Sequence, residues 1–332
     1  MADFQNYKVQ PVGHDWAITL LKQQQIANRT PQALLITGPP GVGKSTVARF
    51  FAQYLNCRGE GQPCGVCLSC RKTISGNHPD IRIFDDEEQP LKIDQIRELQ
   101  RELVLSPVEG EYRVALLCNF ERATTSAANA LLKTLEEPAS QVVMILTAPE
   151  TGILLPTIVS RCQILTLRAL PAAEIVEALQ ARWQASPEQA RLLAQLSAGR
   201  LGWAVKALTD ESFLERRTQL LQDLLDLLRM SRADRLAYAQ ELSRDVAALR
   251  EALIFWLTLW RDLMLIKSGT PTAIVNIDWQ ETLERVARAG DLLQIGEIVA
   301  RLQKAIINLE YNVNPRLNLE TLLFKLPHYS NI

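Results

Sequence analysis

Short apolar runs and helical patterns alternate over the first half of the chain. Five runs of four or five residues have the length and composition of buried strands, at 33–37, 81–84, 114–118, 142–146 and 163–167. Segments with helical periodicity separate these runs, and a further helix is expected in the lead-in, around 16–21. This alternation predicts βαβ crossovers and therefore an α/β fold built on a doubly wound parallel sheet.

The strand pattern ends near Pro171 and helical periodicity continues from there. Residues 172–183 and 187–196 predict two helices, a third starts at Trp203, and together they indicate a small helical domain ending near Thr209. From Glu211 onward the pattern is nearly all helix, with an apolar stripe interpreted as core at Leu214, Leu221, Leu224, Leu225 and Leu228. The prediction is three domains, at 1–168, 169–209 and 210–332.

Composition and charge narrow the class of protein. With 332 residues, 47% hydrophobic and 22% charged, the chain is expected to fold as a globular protein of two or three domains. Its net charge of −1 provides no overall positive field that would draw it onto nucleic acid. The N-terminal residues lack the layout of a signal peptide, and the most apolar stretch, 252–266, contains Arg261 and Asp262. These features predict a cytoplasmic protein without a membrane span.

A glycine-rich stretch lies between the first predicted strand and a predicted helix. It matches the phosphate loop (P-loop) pattern G-x-x-x-x-G-K-[ST], and consists of Gly38, Pro39, Pro40, Gly41, Val42, Gly43, Lys44, Ser45 and Thr46. In such a loop the backbone N–H groups surround phosphate oxygens, the lysine adds a positive charge, and the serine hydroxyl ligates Mg²⁺. The pattern predicts binding of ATP or ADP with Mg²⁺. The alternative is a glycine-rich turn that binds nothing.

Four of the six cysteines lie close together in the sequence. Cys57, Cys64, Cys67 and Cys70 form the pattern C-x6-C-x2-C-x2-C. Four sulfurs with no neighbouring histidine or carboxylate indicate a closed, tetrahedral, structural Zn²⁺ site. An iron–sulfur cluster and free or redox-active thiols are the alternatives. The other two, Cys118 and Cys162, are interpreted as small buried residues.

Three further motifs produce a resemblance to a known family. They are the segment Ser-Ala-Ala-Asn-Ala-Leu-Leu-Lys-Thr-Leu-Glu-Glu-Pro at 126–138, Ser-Arg-Cys at 160–162, and Asn-Val-Asn-Pro-Arg-Leu-Asn-Leu-Glu at 312–320. Together with the P-loop and the cysteines, they resemble the clamp-loader subunits of bacterial DNA polymerase III, which are members of the AAA+ ATPase superfamily. The resemblance covers nearly the whole chain. It implies an AAA+ sheet, a small helical lid domain and an all-α collar domain that holds a ring of subunits together.

The resemblance also assigns roles to individual residues. It makes the four cysteines the family's zinc module and Thr147 the sensor that contacts nucleotide or attacking water. Arg161 matches the arginine finger, which is donated across an interface to the γ-phosphate of the neighbouring subunit. From spacing alone, a local ion pair is the alternative role for Arg161.

This sequence departs from the family's motor subunits at two places. Those subunits end the third strand with an Asp–Glu pair, where this chain has Cys118 and Asn119. A thiol is a poor Mg²⁺ ligand, and an amide cannot accept a proton from attacking water. The arginine that reaches the γ-phosphate in those subunits is Gly202 here. Nearby Arg200 is expected to be a solvated surface residue.

These departures predict a stator, a subunit whose own ATPase activity is weak or absent. Its implied partners are the delta and gamma/tau subunits in a hetero-pentameric ring, the sliding clamp, and primed DNA through the complex. One alternative is an active gamma/tau-type motor subunit in which Glu121 acts as the base. The other is a separate nucleotide-gated DNA-binding or repair protein, which the neutral charge balance disfavours.

Overall fold

The computed structural model describes residues 10–59, 63–86, 89–270, 274–310 and 313–329. Five parallel strands form one sheet in the order β2-β3-β4-β1-β5. Their bounds are β1 Ala33–Thr37, β2 Ile81–Phe84, β3 Arg113–Leu117, β4 Val142–Ala148 and β5 Gln163–Thr166. The predicted α/β class and the five strands are confirmed, and only the last three strands differ, by one or two residues at an end.

Fifteen α-helices lie within the described residues. Those up to the end of the sheet are α1 Asp15–Ile26, α2 Lys44–Asn56, α3 Leu68–Ile74, α4 Ile93–Leu103, α5 Thr125–Glu136 and α6 Pro156–Val159. The later ones are α7 Ala172–Trp183, α8 Pro187–Leu196, α9 Leu201–Thr209, α10 Glu211–Arg229, α11 Arg232–Leu242, α12 Val246–Lys267, α13 Gln280–Ala289, α14 Leu292–Glu310 and α15 Pro315–Phe324. No helix in the described part of the chain is both long and apolar enough to span a bilayer.

The three central strands of the sheet, β3, β4 and β1, are buried on both faces. Alternate residues of β1 separate into two apolar clusters, Leu34 and Ile36 on one face and Ala33 and Leu35 on the other. The first cluster includes buried residues of α1 and α2, and the second includes those of α4 and α5. The same alternation explains why the strand sequences are continuous apolar runs, because both sets of side chains face helices.

The chain divides into two compact units. The first extends to Glu174 and also contains Gly199–Gly202, and the second contains Ile175–Ala198 and the chain from Trp203 onward. The first unit holds the sheet. The three-domain division of the sequence stays a prediction.

The second unit is built around α12. Trp256 and Trp260 of this helix are fully buried, and the indole N–H of Trp256 donates to the carbonyl of Leu220 at 2.8 Å. Helices α10, α13 and α14 pack against α12. The apolar stretch at 252–266 is therefore a buried helix, and Asp262 within it accepts hydrogen bonds from the backbone N–H groups of Val275 and Asn276.

The Arg235 side chain of α11 caps the C-terminal ends of two other helices. Its buried guanidinium donates to carbonyls near the ends of α10 and α15, those of Leu227 at 2.8 Å, Leu323 at 3.1 Å, Leu326 at 2.7 Å and Pro327 at 2.7 Å. Carbonyls at helix C-termini have no partner within their own helix, so this side chain satisfies groups that would otherwise be buried without a hydrogen bond.

We expect Arg235→Met to destabilise the second unit by about 3 kcal/mol, because several buried carbonyls lose a charged donor. Chemical denaturation followed by tryptophan fluorescence from α12 measures this change. Arg232→Met, on an exposed residue one turn earlier on the same helix, is the matched control and should leave the midpoint unchanged. Equal midpoints for both variants would contradict the structural role of Arg235.

Candidate functional site

The P-loop lies at the carboxyl end of β1, between that strand and α2. Gly38, Gly41 and Gly43 have φ values of 143°, 78° and 110°, which residues with a Cβ rarely adopt, and this explains the glycines of the motif. The N–H of Gly38 donates to the carbonyl of Pro149 at 3.0 Å, which ties the loop to the end of β4. Helix α2 starts at Lys44, so Ser45 and Thr46 lie in its first turn.

Lys44 is buried against its own loop. Its Nζ donates to the carbonyls of Gly38 at 2.7 Å and Pro39 at 3.1 Å. Burial lowers the pKa of Lys44 to about 8, and the nearby Glu121 carboxylate opposes that shift. The side chain is therefore mainly protonated at neutral pH, and it can provide positive charge to a phosphate at the mouth of the loop.

Two segments hold the outer side of the P-loop. His14 is buried, and its Nε2 donates to the carbonyl of Val42 at 2.9 Å. The N–H of Gly202, at the start of α9, donates to the carbonyl of Gly41 at 2.7 Å. A Cβ at position 202 would lie 2.9 Å from that oxygen, so the contact requires glycine. Neither contact follows from the sequence motif, because both join residues far apart in the chain.

The other predicted nucleotide residue, Thr147, lies near the carboxyl end of β4. It is fully buried, and its Oγ1 accepts a hydrogen bond from the N–H of Asn119 at 3.0 Å. The register pairs Thr147 with Ile36, just before the P-loop. Sheet order thus brings the end of β3, Thr147 and the P-loop to one edge of the sheet.

The segment after β3 contains Cys118 and Asn119, the first of the two departures. Cys118 follows the last residue of β3, and Asn119 adopts a left-handed φ of 51°. A 3₁₀ turn at Phe120–Arg122 follows, and Glu121 on this turn is close enough to Lys44 to raise its pKa. Glu121 therefore faces the P-loop lysine. Arg200 is half-buried and burial lowers its pKa, so the expectation of a solvated surface arginine is wrong.

Cys118 belongs to a group of interacting polar side chains that the sequence motifs do not indicate. Its thiol interacts with the Ser45 hydroxyl and the Asp85 carboxylate, and burial, followed by the negative charge of Asp85, raises its pKa to about 12. The thiol therefore stays protonated. Asp85 in turn accepts a hydrogen bond from Arg49 of α2 at 2.6 Å. Cys118 is half-buried and polar in its contacts, so its interpretation as a plain buried residue is incomplete.

Arg161 lies at the opposite edge of the sheet from the P-loop. It precedes β5, whose first residue, Gln163, pairs with Leu34 near the start of β1. The length of β1 puts roughly 15 Å of sheet between this level and the P-loop, more than an arginine side chain spans. Arg161 is exposed, forms an ion pair with Glu136 of α5 and donates to the carbonyl of Thr157 at 2.8 Å. This geometry excludes contact between Arg161 and a nucleotide in its own P-loop.

The four clustered cysteines converge between the end of α2 and the start of α3. All four sulfurs lie within 4.8 Å of one another, and both the Cys57–Cys67 and Cys64–Cys70 pairs are 4.0 Å apart. These separations are too long for disulfides. A tetrahedral ion with bonds of about 2.3 Å would hold its sulfurs about 3.8 Å apart. The arrangement therefore fits a single metal ion.

Backbone N–H groups point at three of these sulfurs. Cys57 accepts from the N–H of Cys64 at 3.3 Å, Cys64 from Cys67 at 3.3 Å, and Cys67 from Cys70 at 3.4 Å. The backbone hydrogen bonds of Cys67 and Val66 lower the pKa of Cys64, while burial raises that of Cys70. Such N–H groups stabilise thiolates, which is the form that binds metal. The residues between Cys57 and Cys64 at 60–62 lie outside the described part of the chain.

Comparison with known proteins agrees with this architecture. A family model described as "DNA polymerase III, delta subunit" matches residues 13–171, and one described as "DNA polymerase III, delta subunit, C terminal" matches residues 211–328. The DNA polymerase III delta′ subunit of Bacillus subtilis is 27% identical over 304 residues, which cover 90% of this chain and 92% of that protein. The delta′ subunit of Pseudomonas aeruginosa is 32% identical over 223 residues, covering 65% of this chain and 67% of that protein.

The two family models match the part of the chain that contains the sheet and the helical C-terminal part, so the chain is a delta-type subunit of DNA polymerase III. The tau/gamma subunit of Haemophilus influenzae is 38% identical, but over only 170 residues, which are 51% of this chain and 25% of that protein. Both delta′ matches extend over most of the two chains compared, and the Bacillus subtilis match, at 90% of this chain, extends into the C-terminal part. The chain belongs to the delta′ subunit family.

We expect the purified chain to contain one metal ion, held by Cys57, Cys64, Cys67 and Cys70. Elemental analysis should give about one equivalent for the wild type and for Cys162→Ser, a control that leaves the cluster intact. Cys67→Ser should lose most of the metal because a tetrahedral site then has three sulfur ligands. Equal metal contents for the two serine variants would rule out this site.

Proposed function

We propose that this chain acts as the stator of a bacterial clamp loader. In this role it closes one end of a hetero-pentameric ring with delta and gamma/tau subunits in the cytoplasm. The ring opens a sliding clamp and loads it onto primed DNA. Similarity to delta′ subunits over nearly the whole chain supports this assignment. The lid at 169–209 and the collar at 210–332 are part of the same proposal.

The observation that carries the proposal is the separation of Arg161 from the chain's own P-loop. An exposed arginine at the amino edge of the sheet is available to a neighbouring subunit. Its guanidinium is permanently charged and planar, which suits charge developing on a γ-phosphate during hydrolysis. The ion pair with Glu136 holds it in place before the neighbour binds. Arg161 is therefore proposed as an arginine finger acting in trans.

Within its own site the chain is proposed to bind ATP or ADP, with Mg²⁺, and to hydrolyse it weakly or not at all. The complete P-loop and the buried Lys44 support binding. Asn119, which supplies only an amide and whose N–H is bonded to Thr147, supports the absence of turnover. The metal of the cysteine cluster is proposed to be Zn²⁺, because four sulfurs at these separations suit one tetrahedral ion better than an iron–sulfur cluster.

The Arg161→Ala variant should lower ATP hydrolysis by the neighbouring subunit at least tenfold, because an arginine finger contributes about 10³ or more to turnover. The measurement uses a reconstituted complex in which that neighbour alone keeps a functional P-loop lysine. Arg168→Ala, on an exposed arginine just past the other end of β5, is the matched control. If the complex that contains the Arg161→Ala variant keeps full clamp- and DNA-stimulated ATP hydrolysis, the stator proposal is wrong.

The isolated protein should bind Mg-ATP in calorimetry and release no phosphate on the same sample. Lys44→Ala should weaken binding by at least about tenfold, since a charged hydrogen bond to phosphate is lost. Lys133→Ala, on an exposed lysine of α5, should bind as the wild type does. Steady phosphate release that disappears in both Lys44→Ala and Glu121→Gln would instead identify an active motor subunit.

A further inference from the structure

The nucleotide site has a serine for Mg²⁺ but no carboxylate where β3 ends. Mg²⁺ prefers hard oxygen ligands, and P-loop proteins hold it with the loop hydroxyl and an aspartate from a neighbouring strand. Cys118 follows β3 here, and its protonated thiol supplies no negative charge. Another carboxylate of this chain, that of Asp85, follows the neighbouring strand β2.

Asp85 lies there because of the strand register. Strand β2 pairs with β3 in parallel, Phe84 is opposite Leu117, and the N–H of Cys118 donates to the carbonyl of Phe84 at 2.8 Å. Both strands end at the same edge of the sheet, so the next residues, Asp85 and Cys118, are neighbours. The Asp85 carboxylate therefore lies at the same edge of the sheet as the P-loop. It follows β2, which is one strand further from the P-loop strand β1 than β3 is.

Cys118 lies between Asp85 and the P-loop serine. Its thiol interacts with both the Ser45 hydroxyl and the Asp85 carboxylate. Arg49 donates to Asp85 Oδ2 at 2.6 Å. Ser45 and Arg49 are four residues apart on α2, so both side chains project from the face of this helix that lies beside Asp85.

This arrangement suits Mg²⁺ at Ser45. The Ser45 hydroxyl has two lone pairs, so it can ligate a metal ion while it interacts with Cys118. A carboxylate offers about four acceptor positions, so Asp85 can accept from Arg49 and Cys118 and still accept from metal-bound water. The Arg49 and Asp85 side chains are 24% and 21% exposed. An ion pair that is partly open to solvent contributes little to the free energy of unfolding.

We propose that Asp85 supplies the carboxylate for nucleotide-bound Mg²⁺ in this chain, with Cys118 as the hydrogen-bonding link between Asp85 and Ser45. The inference rests on the proposed nucleotide binding and adds the residue that makes this binding depend on Mg²⁺. It also separates metal binding from catalysis. Asp85 provides negative charge for Mg²⁺, whereas Asn119 cannot act as the base that accepts a proton from attacking water. Metal-dependent binding without turnover follows from that separation.

The experiment measures the affinity for ATP by calorimetry with Mg²⁺ and in magnesium-free buffer. The wild type should bind more tightly with Mg²⁺. Asp85→Asn should reduce the Mg²⁺ affinity at least tenfold and leave the magnesium-free affinity unchanged, which also shows that the variant is folded. Asp86→Asn, which removes an exposed carboxylate next in the chain, is the matched control and should behave as the wild type.

Two further variants test the link through Cys118. Cys118→Ser keeps a hydroxyl that can donate and accept, and should retain the Mg²⁺ effect, whereas Cys118→Ala should weaken it. Cys118→Asp in the Asp85→Asn background should restore it. The paramagnetic resonance of Mn²⁺ in the ATP complex gives a second measurement, in which Asp85→Asn should raise the fraction of free Mn²⁺.

The possible failures are distinguishable. If Asp85→Asn retains the full effect of Mg²⁺ on ATP affinity, this inference is overturned and nucleotide binding stands. If the wild type binds no ATP in either buffer, the nucleotide part of the proposed function fails, and the inference fails with it. Restoration by Cys118→Asp together with a loss in Asp85→Asn supports the inference.

Discussion

The parallel arrangement of the sheet is the constraint on which the functional geometry depends. All five strands run in one direction, so one edge collects every strand's carboxyl end and the other collects every amino end. The P-loop, Thr147, Cys118 and Asp85 meet at the first edge because each follows or ends a strand. Arg161 precedes a strand and lies at the second edge. A single topological property thus separates the residues that act within the subunit from the one proposed to act outside it.

Helix α2 connects the P-loop with the cysteine cluster in the first unit. It begins at Lys44, where its first turn contributes to the P-loop, and its C-terminus leads directly into Cys57. Thirteen residues at 1.5 Å per residue separate these ends by about 20 Å. Ser45, Arg49 and the first cysteine of the cluster are therefore arranged along one helix and its C-terminal end. The fixed spacing suits a subunit that presents a stable surface to its neighbours.

Local patterns were sufficient for most of the fold and for the residues of the two motifs. The sequence predicts the strands at 33–37 and 81–84 and the helices at 172–183 and 187–196 residue for residue, because each strand is a short, mainly apolar run and each helix has one apolar stripe. The cysteines converge as their spacing indicated. The contacts of Asp85, His14 and Gly202 were not predictable, because each depends on register or packing between distant segments. The misjudged solvation of Arg200 has the same origin.

The hydrogen bond between Gly202 and Gly41 limits which residue position 202 can carry. The backbone at 202 approaches the P-loop so closely that a Cβ there would lie 2.9 Å from the carbonyl oxygen of Gly41. Any substitution that adds a side chain must therefore displace the loop backbone or break this hydrogen bond. The shape of the phosphate loop thus depends on a glycine that lies about 160 residues beyond the motif.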